Sequence, residues 1–386
     1  MANPSAPDWQ FFELRDLPDA LPCSDNILND IWKLGARATI DSCLGKSTQP
    51  AVWQIDPSSG AYVANQRPAM TIEGHSFATY TLEFDAFIDR GGIWWAVTQP
   101  LALDGLHIQL TGEMPSRSSF ANINNTVTPP NTLLLYRKLA TDLARSVNHK
   151  PWNKALGTYG YALEDLNTSS VAGTAFCLSS HVASKERAVS AVAALDELGL
   201  GLGYKDRSTL DDHDSETKIS PNTNGLLLQA ILAAEDWGKA AKLIYNVWGA
   251  MLKDPETRSG ASWEYLTPAG QPGLGAFTSL GHPWGGAATY ILTEWVAGLR
   301  SADGVQGFRY KNWVVNPEPG VHVGLSHATA KVPLYPSGEL KVKWSIKSKK
   351  MTVQIKAPPE TKGVFWVGKT KKMLENDSSY QFTIQL

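Results

Sequence analysis

Between residues 25 and 38 the apolar positions Ile27, Leu28, Ile31, Trp32 and Leu34 keep the three-to-four spacing of one helix face, and Ser24 stands where an N-cap belongs. From Val52 to about Leu135 the pattern changes. Short runs rich in β-branched and aromatic residues, Ala78–Phe84, Gly92–Val97 and His107–Leu110, are cut by Gly, Pro, Asn and Ser clusters. Such runs predict strands, in a β-sandwich or half of one. The helical period returns between about Leu133 and Leu299. Ala240, Leu243, Ile244, Val247, Trp248 and Met251 form one stripe, closed by Pro255, and similar stripes run through Ala188–Leu198, Leu226–Ala233 and Ala287–Leu299. Glycine-rich segments at Gly199–Gly203 and Gly270–Gly275 separate them, as in stacked helical hairpins whose functional surface lies in the loops. The last stretch alternates with period two. Leu340, Val342, Trp344 and Ile346 interleave with lysines and serine, and Met351, Val353, Ile355 and then Tyr380, Phe382, Ile384, Leu386 repeat the pattern. This predicts an antiparallel sandwich with one face in water, whose lysines, including Lys347, Lys349, Lys350, Lys369, Lys371 and Lys372, read as a solvated face.

Composition narrows the function classes. The 386 residues carry 35 Lys+Arg against 37 Asp+Glu, a net charge of −2, which argues against a nucleic-acid or anionic-membrane binder. With 43% hydrophobic and 19% charged residues the chain is of globular type, and its length implies more than one core. No apolar run is long enough to span a bilayer, and Met1–Gln10 carries no apolar signal core, so a cytoplasmic protein is expected. Cys23, Cys43 and Cys177 lack C-x-x-C spacing and read as free thiols. Walker, dinucleotide, zincin and nucleophile-elbow motifs are absent from the sequence, so no cofactor or metal is expected.

Candidate chemistry concentrates in Gly260–Gly286. Glu264 lies between Trp263 and Tyr265, and His282 lies two residues before Trp284. A carboxylate set against aromatic rings is partly desolvated, an environment that favours proton transfer, and the rings suit the walls of a sugar pocket. The same residues equally fit a helix-capping glutamate and tryptophans packed between layers. A second group, Asp211, Asp212, Asp214 and Glu216, lacks the glycine and distal glutamate of a calcium loop and reads as an exposed acidic loop leading into Ser220–Gly225. Cys177, between Phe176 and Leu178 with no adjacent histidine, reads as a buried thiol.

On these stretches the chain resembles the α-L-rhamnosidase family, in particular its fungal branch. Ile219–Gly225, Ser262–Tyr265 followed by Ser279–Trp284, and the closing strands from Gly307 come in family order. Gly60–Tyr62, Tyr80–Asp85, Arg90–Gly92 and Pro129–Thr132 look like the opening of the fungal members' extra sandwich. The resemblance implies an inverting glycoside hydrolase with an (α/α)6, six-hairpin barrel flanked by β-sandwiches. It makes Glu264 the general base and places His282 and Trp284 at the sugar subsite. Inversion needs a second carboxyl, roughly 6.5–9.5 Å from the base. The Arg- and Asp-rich loop that carries the family's acid has no counterpart here, and six hairpins of helices of roughly 11–12 residues exceed what residues 133–299 hold.

The expected architecture is therefore a multidomain α and β chain. An N-terminal segment with one helix (1–45) precedes a partial N-terminal β-sandwich (46–132), an incomplete (α/α) helical barrel (133–303) and a C-terminal antiparallel β-sandwich (304–386). The expected function is a degenerate glycosidase site in an intracellular enzyme of specialised (secondary) metabolism, performing acid/base chemistry such as cyclisation or isomerisation. Glu264 and His282 are its catalytic pair, and Trp263, Tyr265, Trp284, Asp212 and Asp214 its substrate-binding residues. The alternatives are a rhamnoside hydrolase whose acid is replaced by Asp211, Asp212, Asp214 or Glu216, and a non-catalytic carbohydrate-binding remnant. The expected partner is a small-molecule or glycoside substrate, with no nucleic acid and no membrane, and no oligomeric interface is read from the sequence.

Overall fold

The computed structural model describes residues 23–42, 53–58, 60–63, 80–88, 92–97, 106–111, 116–125, 130–302, 307, 310–334, 338–375 and 378–386. Met1–Gln10, Cys43, Ala78, Thr79, Arg90, Gly91 and Pro129 lie outside them. Two compact units emerge, Leu44–Leu143 and the remainder.

The first helix, α1 (Asn26–Asp41), buries Leu28, Ile31, Leu34, Gly35 and Ala38. Its N-cap is Asp25, not Ser24. The Asp25 carboxylate accepts the N–H groups of Ile27 and Leu28 and, through its other oxygen, the Tyr245 hydroxyl at 2.6 Å. Ser24 is engaged elsewhere, its hydroxyl accepting the Ser326 N–H at 2.9 Å. Asp25→Ala removes a cap and strands the Tyr245 hydroxyl, so unfolding in urea is expected to show a loss of about 2 kcal/mol.

In the Leu44–Leu143 unit, β1 (Trp53–Asp56) and β2 (Gly60–Val63) form a hairpin, closed by Asp56 accepting the Ser58 N–H and by Gly60 at φ +96°. Of β3 (Tyr80–Ile88), β4 (Gly92–Val97), β5 (Leu106–Thr111) and β6 (Ser116–Asn125), β3 pairs with β6 and β4 with β5, all antiparallel. The predicted strand block is thus present as two-stranded ribbons among the described residues. Helix α2 (Pro130–His149) follows.

The larger unit continues with a small sheet of β7 (Trp152–Asn153), β8 (Thr158–Ala162) and β9 (Asp165–Ser169), then α3 (Val171–Ser179) and α4 (Lys185–Ala193). A short hairpin of β10 (Gly199–Leu200) and β11 (Gly203–Tyr204) leads to α5 (Pro221–Ala233), α6 (Trp237–Leu243) and α7 (Ala287–Ile291). Serines 170, 184 and 220 cap α3, α4 and α5. Residues Ser220–Gly225 are the cap and opening turns of α5. Ser220 accepts the Thr223 N–H, Pro221 occupies the first turn where no donor is needed, and the buried Asn224 amide pairs with both backbone groups of Tyr204. Helix α5 buries Leu227, Leu228, Ala230, Ile231 and Leu232 and packs on α3, α6 and α7. Helices α6 and α7 each end in a π-helical turn, Ile244–Trp248 and Leu292–Val296, one residue out of the 3.6 period. Among the described residues the helices gather around α5 without closing a barrel.

The chain closes with β12 (Leu299–Ser301), β13 (Asn312–Val315), α8 (Glu318–His322), β14 (His327–Pro333), β15 (Glu339–Lys347), β16 (Lys350–Lys356), β17 (Lys362–Val367), β18 (Thr370–Leu374) and β19 (Ser379–Gln385). Two four-stranded sheets result, ordered β12-β13-β17-β18 and β14-β15-β16-β19. They meet through Phe365 stacked on Phe382 at 4.1 Å, with Trp313 and Trp344 fully buried. The alternation predicted for β15, β16 and β19 holds, while the β13–β17 junction is parallel.

Candidate active site

Residues 262–266 form a segment held on both sides by backbone hydrogen bonds. On one side the Glu264 N–H donates to the Ser279 carbonyl at 2.9 Å, the His282 N–H to the Ser262 carbonyl at 2.7 Å, and the Ser262 hydroxyl to the His282 carbonyl at 2.8 Å. On the other, Leu266 and Ile219 exchange both backbone hydrogen bonds at 2.9 Å, and the Gly273 N–H donates to the Tyr265 carbonyl. Ile219 directly precedes the Ser220 cap, so this register runs Glu264 toward the start of α5. The Ser262 N–H also bonds the Leu34 carbonyl of α1. Backbone pairing thus fixes Glu264 and His282 on neighbouring segments of one loop assembly.

The Glu264 side chain is half-buried and accepts the Ser279 N–H at 3.4 Å. Among the described residues no cation forms an ion pair with it, so its lone pairs remain open to a bound molecule. His282 is half-buried, its ring edge-on to Trp284 at 6.5 Å. Trp284 is 72% exposed and Phe277, on the same loop, 91% exposed. Trp263 points the other way. Its ring is fully buried in the core, with its indole N–H lacking an acceptor among the described residues, so it is no wall of an open pocket. Tyr265 is half-buried beside Gly273, which comes too close to its Cβ to carry a side chain.

The acidic loop is exposed, as expected, and no hydrogen bond or ion pair joins it to Glu264 among the described residues. Asp212 forms an ion pair with the buried Lys205, whose ammonium also donates to the Leu210 carbonyl at 2.8 Å. Asp214 accepts the Glu216 N–H at 2.8 Å, and Asp211 that of His213. These carboxylates neutralise a lysine or shape turns. Sequence reasoning passed over Asp206, which accepts the Thr223 hydroxyl of α5 at 2.8 Å. Its signal was the Lys205-Asp206-Arg207 triplet after the glycine-rich hairpin. Glu294, on the π turn after α7, was hidden in an apolar stripe. Burial raises its carboxyl pKa, with Arg300 opposing, and burial together with Glu294 pushes Tyr290 and Tyr310 up to about 12.

No group of three His, Cys, Asp or Glu side chains fit to hold a metal occurs among the described residues. Cys23 and Cys177 are free, and burial pushes the Cys177 thiol up to about 11. Because only the thiolate reacts, alkylation of the Cys177 peptide by iodoacetamide is expected to be slow at pH 8. It should rise about tenfold per pH unit up to pH 10, as peptide mapping would read. No described helix is long and apolar enough to cross a membrane.

Comparison with known proteins agrees with the C-terminal part of this architecture. Residues 298–381 match the family described as "Bacterial alpha-L-rhamnosidase C-terminal domain". No curated protein matches the chain. Solved structures to which the chain is similar include the α-L-rhamnosidase of Aspergillus terreus, at 14% identity and TM-score 0.46, over 66% of this chain and 28% of that one. The enzyme of Dictyoglumus thermophilum gives 14% and 0.46, over 67% and 29%. That of Streptomyces avermitilis, complexed with L-rhamnose, gives 15% and 0.44, over 65% and 24%. The chain therefore spans less than a third of the length of each. Its C-terminal domain is rhamnosidase-like, a mixed helical and sheet fold precedes it, and the barrel is not closed among the described residues.

Proposed function

We propose that this chain is a rhamnosidase-like protein whose Glu264–His282 loops form a degenerate glycosidase site, acting on a small molecule or glycoside by acid/base chemistry. The observation that carries this is the pinning of Glu264 to Ser279 and of His282 to Ser262, which presents a carboxylate and an imidazole from paired loop segments, with the exposed Trp284 next to the imidazole. Glu264 removes a proton from the bound molecule and His282 returns one at another atom, so the net reaction is an isomerisation or cyclisation needing no oxidant. Trp284 supplies a flat face for a sugar or other planar ring. The reading places the protein in the cytoplasm, in fungal specialised (secondary) metabolism.

A second reading is hydrolysis of a rhamnoside, with Glu264 activating water. It is favoured by Asp206, a carboxylate held at the start of α5, the helix toward which Glu264 runs. The two separate in one experiment. Wild type, Glu264→Gln and His282→Ala are each incubated with an aryl α-L-rhamnoside and with a cell extract under metabolite profiling. A product in extract that both variants lose, with no rhamnose released, supports the acid/base reading. Rhamnose release lost in Glu264→Gln selects hydrolysis, and no conversion in either assay removes both.

A further inference from the structure

The outer face of the β14-β15-β16-β19 sheet carries a charge pattern that solvation alone does not explain. Six exposed lysines, Lys331, Lys341, Lys343, Lys347, Lys350 and Lys356, project from three adjacent strands. The register sets them against one another: Lys331 lies opposite Lys341, Lys341 opposite Lys356, and Lys347 opposite Lys350. Like charges directly across a strand pair repel. The four strands contain one acidic residue, Glu339, which pairs with Lys331 at 2.7 Å. The other five lysines have no carboxylate partner among the described residues. A surface built only for solubility intersperses both signs, and a chain of net charge −2 has the acids to do so. Here one acid, Glu339, stands against six lysines on one sheet face.

We propose that this face is a binding surface for an acidic polysaccharide, a linear polymer of carboxylate-bearing sugars. Charge complementarity calls for a polyanion, and the rest of the face selects which. Between the lysines stand Thr329, Thr352, Gln354 and Gln381, whose hydroxyls and amides match sugar hydroxyls. Arginine, with the fork that suits phosphate, does not occur on these strands, and their outward positions carry a single aromatic ring, that of His327 at the start of β14, where a nucleic-acid strand would call for several on which successive bases stack. The outward positions also lack the large apolar side chains that anchor a protein in a lipid surface. The site is separate from the Glu264 loops and does not depend on their activity.

The test is affinity electrophoresis of the full chain through gels containing polygalacturonate, beside gels containing neutral galactan. Duplex DNA and phosphatidylserine vesicles are tested as competitors. The expected result is retardation by polygalacturonate alone, at least tenfold weaker when ionic strength rises from about 0.05 to 0.3 M. Replacing three lysines, Lys341→Gln, Lys343→Gln and Lys356→Gln, is expected to weaken binding at least tenfold. Its melting temperature should be unchanged or raised, since repulsion is relieved. Should that variant melt lower, Lys343→Gln and Lys350→Gln singly are expected each to weaken binding severalfold. Absence of retardation, equal retardation of the variants, or displacement by DNA or vesicles in preference to polygalacturonate would overturn the assignment.

Discussion

Glu264→Gln is expected to lower turnover of the protein's substrate at least about 100-fold while leaving the melting temperature within a degree or two of wild type. The size follows from the usual contribution of a positioned acid or base to a proton-transfer step. The small structural effect follows from the contacts. The carboxylate accepts a single backbone N–H, that of Ser279, and a glutamine carbonyl oxygen can accept the same bond. The segment is held by backbone pairs to Ser279, His282 and Ile219 that the substitution leaves alone. A structural role for Glu264 predicts the reverse, a lower melting temperature with activity falling only in proportion. Circular dichroism melts beside product assays distinguish the two.

Gly285→Ala is expected to be the most damaging small substitution in the site. A Cβ there would sit 2.2 Å from the Trp263 carbonyl oxygen, a backbone atom that cannot swing aside. Relief requires residues 262–263 to part from 282–285, which breaks the Ser262–His282 pairing and pulls the Gly285 carbonyl from the Trp248 indole N–H, now at 2.6 Å. We expect a loss of about 2–3 kcal/mol in chemical denaturation, with activity falling as well. The control is Gly281→Ala, four residues away, where an added Cβ meets nothing within 4 Å. Its stability should stay within about 0.5 kcal/mol of wild type.

The contrast between these glycines shows which parts of the protein the sequence made legible. Period two along Leu340–Ile346 was readable because each residue of β15 faces either the core or water, and burial follows the alternation to its end. The helical stripes were readable for the same reason, but their ends were not. Asp25 and Ser24 are both good caps, and only the competing bond from Ser326 to Ser24 decides between them. The start of α5 was hidden because proline, asparagine and glycine carry loop preferences that Ser220 and the Asn224–Tyr204 pairing override. The π turns add one residue to a period of four, too little to show in a stripe.

The candidate site was legible as a stretch and illegible as an arrangement. Trp263 and Trp284 stand in similar glycine- and proline-rich surroundings, yet one is fully buried and the other exposed. The difference arises because residue 263 lies on the segment paired with both neighbours while residue 284 lies on a short 3-10 turn. Glu264 is positioned by backbone groups of Ser279 and His282, and backbone donors leave no mark in residue type. Asp212 and Asp214 seemed matched to substrate because charge clusters suggest ligands, whereas Lys205, seven residues before Asp212, supplies an internal use for one of them.

In the proposed reaction Glu264 moves a proton of a bound small molecule. Its most direct test is incubation of wild type and Glu264→Gln with the same extract in deuterated water, followed by mass analysis of the product. The expected product carries one solvent deuterium on carbon with wild type and is at least about 100-fold less abundant with the variant. A product formed equally by Glu264→Gln would contradict it.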